Sequence, residues 1–136
     1  MKIFSTSFSE SLAHLCLLVV RIATGAFMLT HGLPKLNRLT SGEEIKFADP
    51  FGFGPAISLV LVVFAEVICS ILIILGLGTR LASLPLIIAM GVAAFHAHAN
   101  DPFSTKEKPL LFLLIFIVLF VFGSGKYSVD RLLNRK

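Results

Sequence analysis

The chain has 136 residues, of which 56% are hydrophobic and 15% charged, and its mean hydropathy is +0.91. These values exclude an ordinary water-soluble domain and indicate an integral membrane protein. The formal charge of +4 does not indicate a nucleic-acid partner, because the basic residues lie beside apolar segments, where such residues set topology and contact the lipid bilayer.

Four apolar stretches, at about 11–31, 55–77, 81–98 and 109–123, compare in length with the ~20 residues needed to cross a bilayer. They predict an all-α fold, an integral membrane four-helix bundle that forms one domain over residues 1–136. The third stretch ends in polar residues, so this end either faces the bundle interior or emerges into the interface. With an even number of spans, the basic tail Arg131, Arg135 and Lys136 predicts that both termini lie in the cytoplasm.

The three connections differ in their predicted structure. The first, from Gly32 to Gly54, is rich in glycine, proline and phenylalanine, which predicts a loop against the membrane interface, either a plain anchor or a lid. The second, Gly76 to Arg80, predicts a tight hairpin with a glycine cap. After the third, the last helix begins either with the capping-box spacing of Ser104 and Glu107 or with Pro109 in its first turn.

Arg21 and Glu66 lie in the middle of the first two spans, where a lone charge is costly. Counting from the ends of the spans places both roughly 15–16 Å deep, so we predict that they pair or share a ligand. A structural ion pair and a functional site are both consistent with this. Gly25 and Gly32 share the face of Arg21 and predict close helix packing there.

Further polar residues predict a pocket. Arg21, Glu66 and His96 would form it, and it would open toward His31 and Glu107 as ligand-binding residues. No metal site is predicted, because His96 and His98 point to different sides of a helix. Cys16 and Cys69 lie within spans and are expected to behave as small apolar residues.

The residues of a known family pattern run in order along the chain. They are Arg21, Gly25, His31, Gly32, Lys35, Glu66, Gly76, Arg80, His96, Glu107, Gly123, Gly125 and Asp130. Together with four spans, this pattern resembles the DoxX family. The resemblance implies a four-helix protein of the bacterial inner membrane, and relatives include a subunit of thiosulfate:quinone oxidoreductase and a partner in mycobacterial redox complexes.

From the resemblance we expect a subunit or accessory of a redox or quinone-linked membrane system. The pocket would hold a quinone or another lipid-soluble ligand, and a redox protein would be the partner. No motif for independent catalysis is present, so no catalytic residue is assigned. One alternative is a membrane assembly or scaffold protein, and a second is a small proton-coupled carrier, which the missing inverted repeat disfavours. Each of these functions is compatible with a homo-oligomer.

Overall fold

The computed structural model describes residues 3–135, so Lys136 of the basic tail lies outside the described part of the chain. Within that range the structure is helical and contains no β-strand. The all-α prediction is confirmed. The helices are α1 (Glu10–Thr40), α2 (Pro55–Leu75), α3 (Thr79–Ala97), α4 (Phe103–Phe122) and the short α5 (Val129–Leu133).

The first three helices are long and apolar enough to cross a membrane. Helix α4 contains the charged residues Lys106, Glu107 and Lys108 near its start and is apolar from Pro109 onward. Neighbouring helices pack in chain order, α1 on α2, α2 on α3 and α3 on α4, and α4 returns to α1. This closed arrangement is a four-helix bundle compatible with a membrane.

The bundle core combines apolar side chains with two close helix contacts. Its buried apolar residues include Met28, Ile73 and Phe116. A methyl group added at Gly25 would lie 2.5 Å from Ile74, and one at Gly32 would lie 2.8 Å from Val67. Only glycine lets α1 and α2 approach this closely, which confirms the packing role predicted for the inward face of α1.

Helix α1 is longer than predicted, because it continues through Pro34 to Thr40. Proline inside a helix removes the bond to the carbonyl four residues earlier, here Thr30, but leaves the other bonds intact. At 31 residues the helix is roughly 45 Å long, more than the hydrocarbon thickness. The first connection is therefore residues 41–54, and its Ile45 and Phe47 pack against an apolar cluster on α2.

The hairpin between α2 and α3 ends α2 as predicted. Gly76 has a φ of 71° and follows the last residue of the helix. The Leu77 N–H donates to the Leu72 carbonyl at 2.9 Å, and the Gly76 N–H donates to the Ile73 carbonyl at 3.1 Å. These two bonds form a Schellman cap.

The start of α4 differs from both predicted alternatives. The helix begins at Phe103, with Pro102 as the capping residue and no side-chain cap. Pro109 lies inside the helix rather than in its first turn. Proline removes the hydrogen bond to the Thr105 carbonyl, yet the helix extends back through that turn to Phe103.

Candidate functional site

Arg21 is buried at the end of the bundle that holds the α2–α3 hairpin and residues 123–135, which we call the terminal end. The residue is 1% exposed. Nε donates to the Ile73 carbonyl at 3.1 Å, and Nη2 to the Ile74 carbonyl at 3.4 Å. Nη1 donates to the carbonyl of Tyr127 at 2.9 Å and to that of Ser124. One guanidinium therefore joins the last turn of α2 to the segment after α4.

Asp130 completes this arrangement, which we call the Arg21 junction. Its carboxylate accepts from the Gly78 N–H at 2.9 and 3.0 Å and from the Ser124 hydroxyl. Desolvation acts to raise the pKa of Asp130, but these bonds and the nearby charge of Arg21 hold the pKa below its ordinary value. The Asp130 N–H also donates to the Gly76 carbonyl at 3.1 Å, so the α2–α3 hairpin is held from both sides.

The predicted pairing of Arg21 with Glu66 is wrong. Arg21 lies level with Ile73, whereas Glu66 is about two turns, or roughly 10 Å, further along α2. The depth count failed because it assumed that the first two helices begin and end at the same level. Instead, α1 extends past the end of α2 and packs there against Gly125 through Leu17.

Glu66 pairs with Lys35 instead, toward the opposite end of the bundle. Lys35 Nζ lies 2.8 Å from Oε1 and 2.7 Å from Oε2 of Glu66. The carboxylate side chain is 4% exposed and the ammonium side chain 28% exposed. Gly32 lies against Glu66, so the close contact of α1 and α2 brings the lysine one turn later to the carboxylate. Both charges are compensated by one bidentate contact.

A cavity of about 310 Å³ opens beside this ion pair. We call it the Lys35–Glu66 cavity. Its polar lining residues are His31, Lys35, Glu66, His98, Thr105 and Lys108. The lining thus combines two lysines and two histidines with a single carboxylate, and that carboxylate is already paired with Lys35. The cavity is therefore suited to a ligand group that accepts hydrogen bonds.

The remaining walls of the cavity are largely apolar. Met28, Met90 and Phe112 contribute to them. The ring of Phe112 meets that of His31 edge to face, with centroids 5.9 Å apart, and stacks on Phe116 at 6.1 Å. This combination of apolar walls with a few placed polar groups is typical of small-molecule sites.

Two π-helical segments border the Lys35–Glu66 cavity. One, Phe64–Cys69, contains Glu66, and the other, Ala93–Ala97, begins with the lining residue Ala93. Such segments are rare, and they occur frequently at functional sites. The rotation per residue about the helix axis also differs in a π segment. Residues before and after the segment therefore do not share a helix face at the spacing of a regular α-helix.

The structure divides the predicted pocket residues into two groups. Glu66 and His31 line the cavity, whereas Arg21, His96 and Glu107 do not. His96 lies in the second π segment and, like Glu107, is exposed. The prediction that Arg21, Glu66 and His96 form one pocket is therefore corrected.

Sequence reasoning assigned no pocket role to Lys35, His98 or Lys108. The spacing of His31 and Lys35, four residues apart on one helix face, was the signal for the first of these. His98 bonds through Nδ1 to Asp101 at 2.7 Å, in the turn after α3. Within residues 3–135, no three histidine, cysteine, aspartate or glutamate side chains form a group suited to a metal ion.

Comparison with known proteins identifies the family. The DoxX family profile matches residues 16–99. The chain belongs to the DoxX family. An uncharacterized protein of Haemophilus influenzae is 30% identical over 126 residues, which cover 88% of this chain and 83% of that protein. No solved structure matches significantly. The matched segment includes Arg21, Lys35 and Glu66. It therefore contains residues of both the Arg21 junction and the Lys35–Glu66 ion pair of this DoxX protein.

Proposed function

We propose that this DoxX protein is a subunit or accessory of a quinone-linked redox system in the membrane, and that the Lys35–Glu66 cavity binds a quinone headgroup. The observation that carries the proposal is the position of the Lys35–Glu66 ion pair, with its carboxylate buried, in a cavity that also has apolar walls. A quinone combines an apolar ring with carbonyl oxygens that accept hydrogen bonds. Its chemistry is to carry electrons and protons between membrane proteins.

Lys35 is the principal donor in this proposal. An ammonium has three N–H groups, and Glu66 occupies the side facing α2. A remaining N–H is available to a ligand carbonyl, while Glu66 keeps the lysine in place. His31 supplies a second polar group at the same wall.

The apolar walls would hold the ring. Phe112 is fixed by its contacts with His31 and Phe116, which provides a flat surface for stacking. Met28 and Met90 provide thioether side chains that adapt to the shape of a ligand. Protons would move through Glu66 and the histidines, and electrons would come from a redox protein partner.

Equilibrium dialysis of the purified protein in nanodiscs with a short-chain ubiquinone analogue tests the proposal. We expect saturable binding to the wild type. His31→Ala, and the charge-neutral double variant Lys35→Met/Glu66→Gln, should each raise Kd by about tenfold, the effect of losing one hydrogen bond worth ~1.5 kcal/mol. His96→Ala is the matched control, because this exposed histidine lies outside the cavity, and it should leave Kd unchanged.

Two results would overturn the quinone proposal. One is the absence of saturable binding to the wild type, and the other is an equal loss of binding in His31→Ala and His96→Ala. If the wild type binds no quinone but purifies with a stoichiometric membrane protein, the scaffold alternative replaces it.

The orientation in a bacterial inner membrane is also a proposal. The sequence has six Lys and Arg residues on the side of both termini and five on the other side, and the side with more of them tends to be cytoplasmic. Fusions of alkaline phosphatase and of a fluorescent protein to the C-terminus distinguish the two orientations. Phosphatase activity with no fluorescence would place the terminal end in the periplasm and contradict the proposal.

A further inference from the structure

A second crevice, of about 360 Å³, lies at the terminal end of the bundle, away from the Lys35–Glu66 cavity. It is bounded by the start of α3, the end of α4 and helix α5. Thr79, Arg80, Asp130 and Arg131 are among its polar lining residues. The Arg21 junction explains the role of Asp130 but not those of the other three.

Thr79 contributes a buried hydroxyl without a partner. The residue is 1% exposed, and its Oγ1 has no hydrogen-bond partner within the described part of the chain. Leaving a buried hydroxyl unpaired costs ~1–3 kcal/mol, and such groups in native proteins usually have a specific explanation. Because Thr79 lines the crevice, a ligand bound there is such an explanation.

The charges at the crevice favour an anion. The carboxylate of Asp130 is already engaged by Gly78 and Ser124 and lies near the charge of Arg21. Arg80 uses Nη2 to donate to the Val121 carbonyl at 3.1 Å, which leaves further N–H groups of its guanidinium. Within residues 3–135, the side chain of Arg131 makes no hydrogen bond or salt bridge.

The backbone at the start of α3 already compensates the one carboxylate of the crevice. The Gly78 N–H donates to Asp130, and the Thr79 N–H also helps to lower the pKa of that carboxylate. The N-terminus of α3, which attracts negative charge, is therefore occupied by Asp130. An unpaired hydroxyl and two guanidiniums with further N–H groups remain in the crevice for an anion.

We propose that this crevice binds the phosphate of an anionic phospholipid headgroup. The surroundings favour a lipid over a soluble phosphate, because Leu81 and Phe122 line the crevice and are 75% and 60% exposed. These side chains would contact the acyl chains. Leu132 and Leu133 on α5 are likewise more than half exposed, which places a further apolar surface beside the crevice.

The test titrates delipidated protein in detergent with short-chain phosphatidylglycerol and follows the thermal unfolding midpoint. We expect saturable stabilisation by this lipid and none by short-chain phosphatidylcholine. Arg131→Gln should raise the apparent Kd by about tenfold, the loss of one charge-assisted hydrogen bond. Lys126→Gln removes the same charge at the same end but outside the crevice, so it is the matched control and should change the Kd by less than about twofold.

Thr79→Val separates ligand binding from folding. It removes the unpaired hydroxyl while keeping the shape, so without lipid its unfolding midpoint should equal or exceed that of the wild type. Its response to phosphatidylglycerol should nevertheless be weakened. An undiminished response would overturn the proposal.

Three further results would also overturn it. Equal stabilisation by phosphatidylcholine would show that the anionic headgroup is not recognised. Equal stabilisation by inorganic phosphate at the same concentration would identify a soluble anion as the ligand. An equal loss in Lys126→Gln and Arg131→Gln would show general attraction to negative charge rather than a site.

Discussion

The buried charges at the two ends of the bundle have different hydrogen-bond partners. Arg21 at the terminal end donates to four backbone carbonyls, whereas Glu66 toward the opposite end has one side-chain partner and borders a cavity. A charge whose hydrogen bonds are all taken by backbone has little left for a ligand. A charge beside open space can exchange partners, and this contrast separates a structural centre from a candidate binding site.

The largest expected effect comes from Arg21→Met, which removes the charge and keeps much of the volume. Four carbonyls would lose their donor, and Asp130 would lose its positive neighbour. We expect a loss of about 3–5 kcal/mol in the free energy of unfolding, the usual effect of removing one partner of a buried charged pair. Reversible unfolding in mixed micelles with increasing SDS measures this loss.

Arg38→Met provides the control on the same helix. Arg38 is exposed, and its side chain makes no hydrogen bond or salt bridge within residues 3–135, so its replacement should change the free energy by no more than about 0.5 kcal/mol. If Arg21→Met and Arg38→Met lower the free energy of unfolding by similar amounts, the Arg21 junction does not stabilise the fold as described.

The inward faces of the first two helices could be predicted from the sequence. Arg21, Gly25, Met28 and Gly32 are all buried on α1, because regular α-helical spacing fixes which residues share a face. The relative height of neighbouring helices could not be predicted. It depends on where each helix ends, and α1 passes through a proline at which the sequence pattern predicted a stop.

The candidate site was only partly predictable for a second reason. On α3, Ala82 is buried, but His96, which was predicted to line the pocket, is exposed. The π segment Ala93–Ala97 begins between these two residues, contains His96 and disturbs the regular spacing. No pattern in the sequence marks such a segment, so the choice between His96 and His98 required the structure.

The tightness of the Arg21 junction is tested by Gly76→Ala. At a φ of 71° a new Cβ would lie 2.5 Å from Ser128 Cβ and 2.8 Å from Arg21 Nη2. Strain in the left-handed region costs roughly 1–2 kcal/mol, and overpacking adds typically ~1–3 kcal/mol. We therefore expect a loss of about 2–5 kcal/mol in the same unfolding measurement.

Gly78→Ala isolates the backbone part of that loss. Gly78 has a φ of 59°, but nothing lies within 4 Å of an added Cβ, so only the strain of about 1–2 kcal/mol should appear. Equal losses at Gly76 and Gly78 would mean that the junction tolerates a side chain.

A pair of double-mutant cycles sharpens the comparison between the two centres. Lys35 and Glu66 are in direct contact, so Lys35→Gln and Glu66→Gln should show a coupling energy of about 0.5–3 kcal/mol. Arg21→Met and Glu66→Gln should add to within about 0.5 kcal/mol, because the two sites are separated along the bundle and share no partner. Strong coupling in the second cycle would show that Arg21 and Glu66 interact, as the sequence predicted.

The smallest expected effect is a dependence on acid. The folded-state pKa values of Asp130 and Asp49 are both below the ordinary value. At Asp130 desolvation is outweighed by hydrogen bonds and Arg21, and at Asp49 desolvation is outweighed by bonds from Gly54, Ser58 and Phe53. Each carboxylate therefore binds its proton more readily in the unfolded chain than in the folded one.

It follows that both groups stabilise the fold fully above the unfolded-state pKa of about 3.9 and lose this contribution as the pH falls through the folded-state value. Asp130→Asn should lower stability at neutral pH and make it decline less steeply below about pH 4, with Asp49 responsible for part of the remaining slope. The double variant Asp49→Asn/Asp130→Asn should flatten the decline further. Unfolding measured from neutral pH to about pH 3 checks this, and an unchanged slope in the double variant would show that neither carboxylate is held as the structure describes.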